Sequence, residues 1–256
     1  MTDTLVTTAF DAGTGVARLT FNRPEALNAI NVPLAEAFLA AVEHINSLSG
    51  VRCIVLAGAG RAFMAGTSEQ AGKAIGAILD AVNPAILLLR SMDAPVIAAV
   101  RGVAAGAGLS LTLMADLVIA EEDAKFLVAY NGIGAVPDCG GSWALAHKLG
   151  AGRAAELMLL GRTLNAGEAK DWGMVNEVVP ASEFESRVNR MIEKVAKGPT
   201  RAFGAFRQLI DRANGDRLAA HLEAERAAFL EMTRTEDFAE GVSAFLAKRP
   251  SGFRGC

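Results

Sequence analysis

Cysteine and histidine are scarce, with three of each in 256 residues. Cys53, Cys139 and Cys256 lie far apart, with no Cys-x-x-Cys pair and no zinc-type spacing. Cys53 falls in an apolar strand-like run and reads as a small core residue. Such cysteine usage predicts a reducing, cytoplasmic compartment. His44, His147 and His221 lie outside every glycine-rich turn, and no His-x-x-x-His or Glu-x-x-His pair occurs. Neither a metal site nor a histidine-dependent triad is therefore expected. No glycine cluster completes G-x-G-x-x-G or G-x-x-x-x-G-K-[ST], which disfavours phosphate-loop chemistry. No apolar run approaches the length of a membrane span. The opening MTDTLVTTAF has no basic region leading into an apolar one, so no signal peptide is expected. A net charge of −3 argues against nucleic acid as the main partner, although local basic patches stay open.

What the chain does have is apolar bulk, 52% of its residues, much of it alanine and glycine. That is enough for a large core. Leu5–Phe10 and Val16–Phe21 read as strands joined by the turn Asp11–Gly15. Ala35–Ile45 is helical, with Leu34, Phe38, Leu39, Val42 and Ile45 on one side. Val51–Leu56 is a buried strand, followed by the glycine-rich turn from Gly58 and a helix start near Ser68-Glu69-Gln70. Leu79–Met92 is a helix leading to a second strand, Val96–Val100. Then come Gly102 and Gly106-Ala107-Gly108, and the apolar residues Leu109, Leu111, Leu113 and Met114 of a buried helix.

The strand, glycine-rich turn and helix start thus occur twice, roughly 40 residues apart, as a repeated supersecondary unit would. The first N–H groups of a helix lack intrahelical partners and lie at its positive end. A small-residue turn there suits a carbonyl oxygen that becomes anionic, and it equally suits close helix–strand packing. Two such turns could aim the N–H groups of Thr67 and Ala107 at one oxygen.

Further on, Asp116–Ala120 and Ala124–Ala129 are short strands. Pro137 sets a turn, and Asp138 stands just before a helix running through Leu149. Asp138 suits a helix N-cap, or a proton-transferring carboxylate in a partly dry pocket. Ala154–Leu160 is a helix stopped by Gly161, and Asn165–Glu168 forms a capping box. Val175–Val179 is a strand closed by Pro180. Another helix runs from Ser182 to Gly198-Pro199, and the pattern is helical from Thr200 to Lys248 with a break at Asn214-Gly215. No low-complexity linker divides the chain.

In this order and spacing, Asn22–Ala29, Ile54–Phe63 with Ala65-Gly66, Pro95–Gly102 with Gly106-Ala107-Gly108, Ala115-Asp116-Leu117 and Gly161-Arg162 together resemble the crotonase superfamily, also called enoyl-CoA hydratase/isomerase. The resemblance spans essentially the whole chain. It implies an α/β fold, a spiral of β-β-α units over residues 1–198, and a helical segment over 199–256 that builds trimers, often paired into hexamers. It implies an acyl-CoA thioester as substrate. No metal is implied, and no cofactor apart from the coenzyme A carried by the substrate. By motif position Thr67 and Ala107 would be the oxyanion-hole donors, with alanine where the family usually has glycine. Ala26 and the backbone near Ala65 would wall the adenine pocket, and Lys248 would reach a phosphate or remain solvated.

Where hydratases of this family carry two glutamates, this chain has Ser110 and Tyr130. Val136–Trp143 instead resembles the V-P-D-x-G-G-[ST] loop of isomerase-like members, including ring-epoxide phenylacetyl-CoA isomerases. It also resembles the aspartate position of aryl-CoA dehalogenases. One carboxylate, Asp138, is enough for a 1,3-proton shift through a thioester enolate. Tyr130 would orient Asp138, line the acyl pocket or simply pack. The resemblance therefore implies an enoyl-CoA isomerase first and a hydratase with atypical residues second. Displacement at an aryl ring through Asp138 comes third. A CoA-thioester-binding or structural subunit without turnover is the non-enzymatic alternative.

Overall fold

The computed structural model describes residues 4–66, 71–215 and 217–256. The hairpin comes first, as β1 (Val6–Asp11) and β2 (Val16–Phe21), followed by a 3-10 turn at Pro24–Ala26 and helix α1 (Val32–Ser47). The repeated unit follows as β3 (Cys53–Gly58), β4 (Ala62–Met64) and α2 (Ala71–Ser91), then β5 (Val96–Val100), β6 (Val103–Ala105) and α3 (Ala107–Met114). A third copy comprises β7 (Leu117–Glu121), β8 (Lys125–Leu127), a 3-10 turn at Tyr130–Ile133 and α4 (Gly141–Leu160). The chain continues through β9 (Thr163–Asn165), α5 (Ala166–Asp171), β10 (Glu177–Val179) and α6 (Phe184–Ala196). It ends with α7 (Thr200–Ala213), α8 (Leu218–Met232) and α9 (Glu236–Leu246).

The first strand of each repeat joins one sheet, ordered β1-β2-β3-β5-β7-β10, and the second joins another, ordered β4-β6-β8-β9. Pairing is parallel except for β1–β2 and β8–β9. Each repeat therefore advances the chain by one strand in both sheets, which makes a spiral. Alternation along the larger sheet sorts its side chains. Leu19, Phe21, Ile54, Leu56, Ala98 and Val118 face the main core. Cys53, Val55, Ile97 and Ile119 face α6, which covers them with Phe184, Val188 and Ile192. Cys53 is thus a core residue, and burial pushes its thiol pKa up to about 12.

Several boundaries differ from the sequence reading. Helix α2 begins eight residues before Leu79 and carries Pro84 on an exposed face, where a missing N–H and a ring are tolerated. Its segment Ala74–Ser91 has mean hydropathy 1.4 and is long and apolar enough to cross a membrane. Half of that segment is buried, with Ile78, Leu79, Val82 and Ile86 in the core. The C-terminal run breaks a second time, at Thr233–Thr235 before α9. Leu222 and Phe229 of α8 and Phe238 of α9 belong to the same apolar cluster as the main sheet face.

Two motif segments prove to be struts. Asn28 is fully buried and donates to the carbonyls of Ala59, Ala62 and Phe63 while accepting from Arg23 N. Asp116 accepts from Val96 N at 2.8 Å, from Arg207 at 2.8 Å and from Arg90 at 3.3 Å. Its carboxylate joins the starts of β5 and β7 to α2 and α7.

Candidate active site

The start of α3 comes directly out of β6. Gly106 turns the chain with φ +57 and ψ −124, a conformation only glycine adopts without strain. Ala107 is then the first helical residue, so its N–H has no acceptor within the helix. Alanine is compatible here because the left-handed residue is Gly106, one position earlier. The Ser110 N–H reaches the Gly106 carbonyl at 3.0 Å, which fixes the helix start.

The third repeat supplies the side chains. Ala129, at φ +63, turns β8 into the 3-10 turn and sends Tyr130 inward. The Tyr130 hydroxyl donates to Asp138 Oδ1 at 2.6 Å and lies 3.4 Å from Ser110 Oγ. The two positions where hydratases of this family carry glutamates thus face one another here as a hydroxyl and a phenol. The Tyr130 ring also packs edge-on against Phe229, with centroids 6.2 Å apart. Orientation of Asp138 and aromatic packing, alternatives in the sequence, occur together.

Asp138 is not an N-cap. Helix α4 is entered through Gly140, and the Asp138 side chain points to Tyr130, while only its backbone carbonyl accepts from Gly141 N. With 4% exposure the carboxyl loses hydration, and its pKa rises to about 6. The Tyr130 and Cys139 hydrogen bonds oppose that rise, and the nearby Glu225 charge adds to it. Burial first, then Asp138, pushes the Tyr130 phenol well above its ordinary value.

These groups open onto a cavity of about 350 Å3. Ala65, Gly66, Ala107, Tyr130 and Asp138 line it, with Ile75 and Ile78 of α2 and the rings of Phe229, Phe238 and Phe245. Asp138 is the one carboxylate among its described lining residues. Thr67 lies outside the described residues. Ala26 is half-buried in the 3-10 turn beside the cavity-lining Leu27, whose carbonyl accepts from Ala65 N at 2.9 Å. Lys248 is exposed beyond α9, three residues past Phe245, and does not line the cavity.

One buried carboxylate had escaped the sequence reading. Glu225 of α8 accepts from Gly140 N at 2.8 Å, Ser142 N at 2.9 Å and Ser142 Oγ at 2.5 Å. The signal was present: Leu218, Leu222, Glu225 and Phe229 share one helical stripe, and all four are buried. His221 Nε2 is 2.8 Å from Ser142 Oγ, so serine, histidine and glutamate do converge. They do not form a relay, because Glu225 binds the serine directly and approaches the same imidazole nitrogen, at 3.6 Å.

A model of the enoyl-CoA hydratase/isomerase family matches residues 11–255. The chain belongs to the enoyl-CoA hydratase/isomerase family. It is 39% identical over 250 residues to a 1,2-epoxyphenylacetyl-CoA isomerase of Escherichia coli, covering 94% of this chain and 95% of that relative. It is 37% identical over 254 residues to a probable enoyl-CoA hydratase of Rhodobacter capsulatus, covering 97% and 98%. The crystal structure of an enoyl-CoA hydratase from Mycobacterium avium subsp. paratuberculosis superimposes with a TM-score of 0.90 at 34% identity, covering 98% of both chains. The fold of this family member is accordingly the crotonase-type α/β spiral, and acyl-CoA esters are its family's substrates.

Proposed function

We propose that this chain is an enoyl-CoA isomerase that shifts a proton between C2 and C4 of an acyl-CoA thioester, with Asp138 as the acid–base group. The observation that carries this reading is one buried carboxylate, held by Tyr130, in the same apolar cavity as the N–H of Ala107 at the start of α3. In the proposed reaction the thioester oxygen accepts from Ala107 N–H and, on the family resemblance, from Thr67 N–H. Asp138, ionised at neutral pH, takes a proton from C2 of a 3-enoyl ester. The electron pair moves onto the thioester oxygen as a dienolate, which the two N–H groups stabilise. The same carboxyl then returns the proton to C4, leaving the 2-enoyl ester. With Tyr130 on Oδ1, Oδ2 is the oxygen that meets the substrate carbon. No water enters the balance, in keeping with a serine and a tyrosine at the hydratase glutamate positions.

The acyl group is assigned as apolar, because Ile75, Ile78, Phe229, Phe238 and Phe245 line the cavity. Four aromatic rings there, counting Tyr130, favour a ring-bearing acyl group as a second reading. The E. coli relative is named for such an ester. Ala26 and Ala65 are assigned to the adenine wall and Lys248 to a phosphate of coenzyme A. Trimers, or dimers of trimers, are proposed on the resemblance. The exposed Phe206, Leu209 and Ile210 of α7 support them, since such an apolar face marks an interaction surface. A cytoplasmic location completes the reading.

The test compares wild type and Asp138→Asn on a 3-enoyl-CoA and on crotonyl-CoA. Isomerisation of the 3-enoyl ester that disappears in the variant, without hydration of crotonyl-CoA, supports the isomerase. Useful hydration of crotonyl-CoA would overturn it in favour of a hydratase. Tight CoA-ester binding without turnover of either ester would favour a binding subunit.

A further inference from the structure

We infer that Glu225 is a positioning residue, which acts from α8 by fixing the start of α4 and so holding the Asp138 carboxylate against Tyr130. The inference rests on Asp138 being the acid–base group.

The turn between Asp138 and α4 is one the chain cannot hold by local means. Cys139 has φ +54 and Gly140 φ +78, two consecutive left-handed residues. The first is costly for a residue with a Cβ. The position before the helix cannot take an ordinary serine or aspartate cap. A Cβ at Gly140 would meet Met114 Sδ at 2.8 Å, and its positive φ disfavours any side chain. The cap instead comes from 85 residues away: the Glu225 carboxylate takes Gly140 N, Ser142 N and Ser142 Oγ. An anion is favoured at that end of the helix. Burying a carboxylate at 5% exposure is costly unless its hydrogen bonds are made, and here both oxygens are used. One turn further along α8, Phe229 packs on the Tyr130 ring. A single helix therefore braces both members of the pair.

The arrangement also distinguishes positioning from simple capping. The titratable groups facing Asp138 are the Tyr130 phenol, the Cys139 thiol and the Glu225 carboxylate, with His221 behind the last of these. Glu225 raises the Asp138 pKa through its charge. A carboxylate that only caps α4 would, when neutralised, take away this charge alone and lower the Asp138 midpoint, whereas losing the Tyr130 bond pushes the midpoint up, so a midpoint that does not fall marks lost positioning.

The experiment uses the full-length chain as wild type, Glu225→Gln and Ser142→Ala. It reads kcat and KM on a 3-enoyl-CoA, thermal unfolding, and the Asp138 titration by 13C NMR of labelled aspartate, assigned with Asp138→Asn. For folded Glu225→Gln the expected result is a kcat loss of about 10- to 100-fold with little change in KM, and an Asp138 midpoint at or above that of wild type. Unchanged kcat, with the midpoint lowered as loss of the charge alone requires, would overturn the inference and leave Glu225 a cap only. If Glu225→Gln fails to fold, Ser142→Ala removes one of the three bonds and decides the matter. A kcat loss of a few-fold with near-normal unfolding is expected, and no loss overturns the inference. If wild type isomerises no enoyl ester, the isomerase reading fails. The direction of the NMR midpoint shift still reports whether Glu225 holds Asp138 against Tyr130.

Discussion

The phenol of Tyr130 and the carboxylate of Asp138 share a 2.6 Å hydrogen bond inside an apolar cavity, with Tyr130 as donor. That bond holds the Asp138 pKa below where burial alone would put it. Tyr130→Phe removes the donor and keeps the ring against Phe229. The Asp138 pKa is expected to rise above about 6, and the acid limb of the kcat/KM profile to move up with it. A hydrogen bond to a charged group is worth about 1.5–3 kcal/mol, or roughly 1–2 pH units. The rate loss should be large at neutral pH and partly recovered at alkaline pH. An unmoved limb would mean that the phenol only packs.

A second consequence concerns stability. The ordinary carboxyl value is 3.8 and the folded one about 6, a difference worth about 3 kcal/mol between the two protonation states. A folded pKa above the unfolded one means that the native state holds the proton more tightly. The contribution is fully present below the unfolded value and is lost as pH rises through about 6. Above that pH the ionised Asp138 is a burden on the fold. Asp138→Asn, neutral and nearly isosteric, is expected to be more stable than wild type by up to about 3 kcal/mol at alkaline pH, with the gain vanishing in acid. Urea unfolding of both proteins on either side of the transition checks this. A gain independent of pH would show that the carboxyl is not desolvated.

The hairpin, β3, β5, α1 and the capping box of α5 were legible because each carries a strong local signal: period-two apolar residues, a helical stripe, or an Asn-x-x-Glu pair. The repeated strand–turn–helix was legible as self-similarity, and β8 within the Ala124–Ala129 strand, but the second strands β4 and β6 were not. β4 and β6 are three residues each, and Val103-Ala104-Ala105 offers no alternation to read. Their pairing is decided by neighbours far along the chain. The early part of α2 was hidden by Gly72 and Gly76, which depress helix propensity where tertiary packing overrides it. At the site, Asp138 was legible from the loop around it. Its partnership with Tyr130 depends on two left-handed residues, Ala129 and Cys139, that propensity does not anticipate. Glu225 is hard to single out because a glutamate in LAAHLEAERAAFLEM reads as solvated unless its place on the Leu218–Phe229 stripe is counted.

Asn28 is the strut that joins the first motif to the second. Asn28→Ala would leave buried carbonyls of Ala59, Ala62 and Phe63 without their donor, and Arg23 N without its acceptor. Each group left unsatisfied costs about 1–3 kcal/mol, so with four groups losing their partner a loss of at least about 4 kcal/mol is expected. For a domain of this size that lowers Tm by about 2–4 °C per kcal/mol. Asn28→Asp should be worse, since a carboxylate would then face three carbonyl oxygens. A Tm within a degree or so of wild type in both variants would contradict this role.

Asp116 makes a comparable test of the second strut. Asp116→Ala strands Arg207, whose side chain is 6% exposed, and frees Val96 N. Breaking a buried ion pair by removing one partner typically costs about 3–5 kcal/mol. Asp116→Asn keeps an acceptor and should cost less. The site lies elsewhere, so the activity of protein that remains folded should be close to normal. Loss of kcat without loss of stability would instead connect Asp116 to the chemistry.

Gly106 offers the sharpest separation of backbone from side chain at the oxyanion site. A Cβ there has room, its nearest neighbour being a Tyr130 ring carbon at 3.9 Å. The cost of Gly106→Ala therefore lies in the backbone, at φ +57 and ψ −124, and is about 1–3 kcal/mol. Relieving that strain changes φ and ψ at residue 106, and the change in ψ rotates the peptide that carries the Ala107 N–H. A fall in kcat of about 100-fold or more is expected, the usual effect of losing one oxyanion donor, with modest loss of stability. Ala107→Gly keeps the same N–H in the same helix and should retain near-normal kcat. If Gly106→Ala is fully active on an enoyl-CoA that wild type isomerises, the Ala107 N–H is not an oxyanion donor. If Ala107→Gly is as damaged as Gly106→Ala, the side chain at 107 matters to the reaction and the donor assignment needs revision.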